Sequence, residues 1–273
     1  MPALLFAALA CHADAGRPIE AAPPAANVTP AAAPAPQPDR CPELVDLEVL
    51  FIGNSYLNLH DLPLRLSQMG EDAGIKIGVD KVTMGGENFE YHLRRPKTAK
   101  LLQAREWDMV VLQSHSLDPL RNPEGFLSAG AELGVRVRKQ GAEPLLFETW
   151  PRRAGHNVYN YFKPAGGNPE AMQLAVSGRY AELAEAEDMR VVPVGTAWTN
   201  VMQQYPEIDL FAKDGGHPSI AGAYLGACVV FSVLTQHSPV AGKDASRGVS
   251  EADAETLRAV AYKVVNPRCD PPA

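Results

Sequence analysis

Four short blocks of this chain carry residue types that could act together on an acyl group. The latest is Asp214-Gly215-Gly216-His217-Pro218. A carboxylate three residues before an imidazole, on a loop made tight by two glycines, is placed to hold one ring nitrogen. It would thereby fix the tautomer and stabilise the imidazolium that forms in general-base catalysis. A nucleophile for that base is Ser55, in Gly53-Asn54-Ser55-Tyr56 directly after an apolar run. There a hydroxyl stands at a strand tip, and the following backbone N–H groups face a developing anion. The pair Gly85-Gly86 allows close approach of backbone to a ligand, with an N–H aimed inward. In Gln113-Ser114-His115-Ser116 an amide sits beside an imidazole. Either Gln113 or His115 has a donor to offer an oxyanion. Each block also has a plainer use: a helix cap, a turn, or a side chain satisfying local backbone.

These residues need a scaffold that gathers distant turns. Val45–Ile52 ends in an unbroken apolar run cut off by Gly53, as a buried parallel strand does. Apolar residues at 62, 64, 66, 69 and 73 predict a helix stopped by Gly74. Further strands are expected at Ile75–Val82, Trp107–Leu112, Pro144–Thr149 and Arg190–Val194, and helices at Glu124–Lys139, Glu170–Glu187, Ser219–Leu234 and Glu251–Val265. Trp150–Pro169 is the one long irregular stretch, and loops of that length tend to be functional. Five short strands separated by helices imply parallel pairing through right-handed crossovers, hence a three-layer α/β/α sandwich on a mostly parallel five-stranded sheet. Ligand sites in such sheets lie at the carboxyl ends of the strands. All four blocks fall there or on a loop entering a helix.

Taken together, Gly53-Asn54-Ser55, Gly85-Gly86 and Asp214-Gly215-Gly216-His217-Pro218 resemble, in order and spacing, the SGNH (GDSL-like) hydrolases, over residues 47 to about 235. The resemblance implies a flavodoxin-like fold and metal-free, cofactor-free ester hydrolysis. Ser55 would be the nucleophile, His217 the base and then the acid, and Asp214 its orienter. The oxyanion donors would be the N–H of Ser55, that of Gly86 or Gly85, and the Gln113 amide. One block departs from the family pattern: its usual Gly-x-Asn-Asp after the third strand is replaced by Gln113-Ser114-His115-Ser116, and by counting His115 stands nearer the Asn position. Asn54 stands where the family usually has Asp.

Net charge is −7, from 25 basic and 32 acidic residues, with no basic run, which argues against nucleic acid as a partner. No stretch approaches the roughly 18 consecutive apolar residues of a spanning helix. Residues 1–11 end in Leu9-Ala10-Cys11 and read as an export signal, either cleaved or of lipoprotein type with a lipid anchor at Cys11. Residues 12–40 are Ala/Pro-rich and read as a disordered linker, leaving 41–273 as the hydrolase domain. The chain is therefore expected to be exported, to the periplasm, the envelope or the medium. There Cys41 and Cys269, flanking the domain, are expected to pair, with Cys228 a buried thiol. His12, His60, His92 and His237 read as surface or capping residues. Trp150, His156, Tyr159, Tyr161 and Phe162 form an aromatic loop that either stacks on sugar rings or packs the loop. The expected activity is a serine esterase acting on short acyl, chiefly acetyl, esters of a glycan or small molecule. The alternatives are an acyltransferase sharing the acyl-enzyme and a non-catalytic glycan-binding envelope protein.

Overall fold

The computed structural model describes residues 41–269. The expected signal, its Cys11 and the linker at 12–40 lie outside the described residues. In chain order the elements are β1 (Leu47–Gly53), α1 (Ser55–Asn58), α2 (Leu62–Asp72), β2 (Ile77–Thr83), α3 (Phe89–Arg94), α4 (Pro96–Leu102), β3 (Met109–Leu112), α5 (Asp118–Arg121), α6 (Pro123–Arg138) and β4 (Glu143–Phe147). They continue through α7 (Val158–Tyr161), α8 (Pro169–Glu187), β5 (Arg190–Val192), α9 (Val194–Gln204), α10 (Ile220–Thr235) and α11 (Glu251–Val265).

The five strands form one parallel sheet in the order β2-β1-β3-β4-β5. Alternation along each strand splits the core in two. Val49 and Phe51 of β1 face one side with Val111, Leu145 and Phe147, covered by α2, α9, α10 and α11. Leu50 and Ile52 face the other with Val110, Leu112 and Leu146, covered by α3, α6 and α8. Right-handed crossovers explain the split, because stepping from β1 out to β2 puts α2 on one face while stepping the opposite way puts α6 and α8 on the other. The last three helices return to the face that α2 alone would leave bare. Helix α10 is apolar all round and buried along nearly its whole length, as its sequence demands.

The three-layer α/β/α expectation holds. Several local expectations change: the third strand starts at Met109 rather than Trp107, the fourth ends at Phe147 rather than Thr149, and α9 is an unexpected helix. The fifth strand ends at Val192 rather than Val194, since Pro193 has no N–H to extend a ladder and Val194 already opens α9. The long loop from Trp150 holds the short α7 and a 3-10 turn at Lys163–Ala165.

A disulfide joins Cys41 to Cys269, whose Cα atoms are 5.4 Å apart, tying together the two ends of the described chain. Cys269 is buried and exchanges backbone hydrogen bonds with Gln236 and Ser238. Opening this bond should lower stability by about 2–4 kcal/mol, chiefly by freeing the unfolded chain. Denaturation with and without reductant reads the effect, and identical midpoints would mean that the bond does not form.

Candidate functional site

The strand order reverses direction between β1 and β3, the point at which such sheets place a ligand crevice. Asn54 ties the three loops at this point. Its backbone N–H donates to Gln113 Oε1 at 2.9 Å, its Nδ2 donates to the carbonyl of Glu87 at 2.9 Å, and its Oδ1 accepts from the N–H of Tyr56. The last bond caps α1, so Ser55 is the first residue of a helical turn. Gly53 is required just before it, because a Cβ there would meet Gln113 Oε1 at 2.5 Å and Leu57 Cδ1 at 2.7 Å.

Ser55 Oγ donates to His217 Nε2 at 2.8 Å, and His217 Nδ1–H donates to Asp214 Oδ2 at 2.5 Å. The other carboxylate oxygen, Oδ1, accepts the N–H groups of Gly216 and His217, each at 3.0 Å. Asp214 therefore sits well below the usual carboxylate range. Desolvation acts to raise its pKa, but the hydrogen bonds from His217 and from the Gly216 and His217 N–H groups outweigh it. The loop bearing the pair is closed by a bridge between Phe211 and Pro218 and turned by Gly215 at φ +67. Trp150 Nε1 donates to the Gly216 carbonyl at 2.9 Å. The Trp150 ring is fully buried, stacked between Tyr56 at 4.4 Å and Trp198 at 3.9 Å. A single aromatic pile thus supports both the Ser55 turn and the His217 loop.

The backbone N–H groups of Ser55, Gly85 and Gly86 have no acceptor among the described residues. Gly86 takes φ +77 in a turn closed by Glu87 N–H to the Met84 carbonyl. Gly86 lines a recess of about 390 Å³ together with His115, Asn88 and Asp118. His115 Nδ1 accepts the N–H of Leu117, which leaves the ring proton on Nε2. Burial lowers its pKa, helped by the charges of Arg121 and His217, so the ring is neutral near pH 7.

Gln113 is placed otherwise than an oxyanion donor requires. It is fully buried, its Oε1 holds the Asn54 N–H, and its Nε2 donates to the Ser114 carbonyl. It fixes the turn that presents Ser55 and does not line the recess. His92, read from the sequence as a surface or capping residue, is also buried. It bridges the Gly53 carbonyl at 2.9 Å and Thr98 Oγ1 at 3.1 Å, so it too braces the turn. No sequence signal marked it, since both partners lie on other elements.

Of the aromatic loop, Trp150 is buried and Tyr159 donates to the Arg152 carbonyl at 2.5 Å. His156 and the 65% exposed Tyr161 line a second, smaller cavity with Arg152 and His217. Arg152 escaped the sequence reading because one arginine in a polar loop looks like any solvated charge. Among the described residues no group of three His, Cys, Asp or Glu side chains could hold a metal ion, and no helix is long and apolar enough to cross a membrane.

No family model and no curated protein matches the sequence. Solved structures do match. A putative SGNH hydrolase from Slackia heliotrinireducens shares 26% identity and a TM-score of 0.60 over 69% of this chain and 99% of its own. A DUF4886 family protein from Bacteroides uniformis reaches a TM-score of 0.67 at 20% identity, over 81% of this chain and 95% of its own. An acetyl xylan esterase reaches 0.53 at 14% identity, over 69% of this chain and 100% of its own.

Proposed function

Starting from the chain as an SGNH (GDSL-like) serine hydrolase, we propose that it cleaves short acyl, chiefly acetyl, esters on carbohydrate through an acyl-serine intermediate. The observation that carries this reading is the hydrogen-bonded line Ser55–His217–Asp214 at the sheet's switch point. Ser55 Oγ attacks the ester carbonyl as His217 Nε2 takes its proton, and Asp214 stabilises the resulting imidazolium. His217 then returns the proton to the leaving alkoxide. Water, activated by the same imidazole, releases the acid.

The tetrahedral oxyanion is met by the N–H groups of Ser55 and Gly86 and by His115 Nε2–H. His115 takes the third place because it shares the recess with Gly86 and its ring proton is free of protein acceptors. His115→Ala should lower kcat on the order of 10²-fold with little change in KM, as loss of one oxyanion donor does. An unchanged kcat would remove His115 from the reaction. Gln113→Ala, by contrast, should act through stability, because it leaves the Asn54 N–H buried without an acceptor. We also propose export of the chain, a reading supported by the Cys41–Cys269 pairing and by the signal-like residues 1–11.

The test is release of acetate from p-nitrophenyl acetate and from acetylated xylan by the parent protein. Turnover of both supports the reading. Turnover of neither, by folded protein, would overturn it.

A further inference from the structure

One charged group beside the triad has no counterpart. Arg152 lines the cavity of about 200 Å³ that also holds Tyr56, His156, Tyr161, Asp214, Gly216 and His217. Its guanidinium lies against Gly216, where an added Cβ would stand 3.2 Å from both Cζ and Nη1. Nη1 donates to the Tyr56 hydroxyl and Nη2 to Ser116 Oγ at 2.8 Å. Three of its five N–H donors are left without a protein acceptor. Among the described residues it forms no ion pair, whereas its neighbour Arg153 pairs with Asp209 at 2.9 Å. Asp214, the carboxylate whose field reaches it, is already occupied by His217 and two backbone N–H groups.

A half-buried cation hydrogen-bonded only to neutral hydroxyls, with the Tyr56 ring 5.7 Å from its Cζ and the neighbouring Asp214 carboxylate already engaged, is stabilised when a further anion joins it. The chain has an excess of acidic residues, 32 against 25, yet the one carboxylate lining this cavity is Asp214, which is already bonded to His217. The geometry also says which part of a substrate enters. His217 must hand its proton to the leaving oxygen, so the alcohol side of the ester lies on the His217 side of Ser55. That side is the Arg152 cavity, while the recess of Gly86 and His115 faces the carbonyl oxygen.

We infer that Arg152 is a specificity-determining residue that binds a carboxylate on the alcohol part of the ester, so that the substrate is an acylated acidic sugar of the uronate type. The inference rests on the esterase reading and deepens it. A planar guanidinium with free N–H donors suits a carboxylate bidentately, the cavity suits one sugar ring, and the exposed Tyr161 offers that ring an apolar face.

The experiment compares mono-O-acetyl methyl glucuronide with mono-O-acetyl methyl glucoside, which differ in the carboxylate. For the parent full chain, kcat/KM should favour the glucuronide by about 10- to 100-fold, mainly through KM, the range of a charge-assisted hydrogen-bonded pair. Arg152→Gln should bring that ratio to within about threefold of one, and Arg152→Lys, which keeps charge but not the fork, should retain part of it. No preference in the parent, or an equal loss on both sugars in Arg152→Gln, would overturn the inference and leave Arg152 as a support for Tyr56. Calorimetric titration of Ser55→Ala with the two uncleaved esters reads the same preference without turnover. If the parent hydrolyses neither ester, the esterase reading fails, and the titration still decides Arg152: tighter glucuronide binding that Arg152→Gln removes sustains it, and equal binding of the two sugars refutes it.

Discussion

Replacing Ser55 by alanine is expected to lower kcat on p-nitrophenyl acetate by on the order of 10⁴- to 10⁶-fold, the range seen when the nucleophile of a Ser-His-Asp unit is removed. The size follows from chemistry rather than from binding. Without Oγ there is no acyl-enzyme, and what remains is water acting near the N–H groups of Ser55, Gly86 and the His115 ring. The fold should hardly notice. Ser55 is half-buried, and its side chain makes one bond, to His217 Nε2. The variant should therefore unfold within about 1 kcal/mol of the parent. Paired rate and melting measurements separate the two effects: a large fall in stability would assign Ser55 to the scaffold.

Asp214→Asn should be the second most damaging change, with kcat down by about 10⁴-fold at neutral pH. The amide is nearly isosteric, and its oxygen still accepts the Gly216 and His217 N–H groups that Oδ1 now holds. Its NH2 then faces Nδ1, which must become an acceptor. That moves the ring proton to Nε2, facing Ser55, where the imidazole is unable to take the serine proton. Stability responds differently with pH. The folded-state pKa of Asp214 is depressed, so its stabilising contribution is present above the ordinary carboxylate range and is lost only as pH falls through the lower folded value. In the parent, Asp214 accordingly remains ionised through weak acid and sets no acid limb in the rate profile. The measurement is kcat against pH for both proteins, and a parental profile that collapses near the usual carboxylate pKa would contradict the account.

The layered fold was legible in the sequence for a physical reason, and so was the meeting of Ser55, His217 and Asp214 in one hydrogen-bonded line. Buried parallel strands read as continuous apolar runs, and a Gly-rich loop with Asp and His three apart has few other uses. The turn after β3 was not legible to the same depth. A glutamine amide reads alike whether it faces a substrate or a backbone, and only the placement of Asn54 against Gln113 Oε1 decides it. Helix α9 was hidden because its first residue continues the apolar run of β5, separated from it by Pro193 alone. His92 and Arg152 share a further difficulty. The partners of His92 are at positions 53 and 98 and those of Arg152 at 56 and 116, so the pairings are set by the sheet order rather than by any local pattern.

The central claim is that Ser55 is the nucleophile and that His217 activates it. Its most direct test is labelling with a fluorophosphonate, followed by intact-mass and peptide analysis alongside residual turnover of p-nitrophenyl acetate. The expected result is a single adduct on the peptide bearing Ser55, lost in Ser55→Ala, strongly slowed in His217→Ala, and rising in step with the loss of turnover. An adduct on a different serine, or turnover that persists once Ser55 is fully modified, would contradict it.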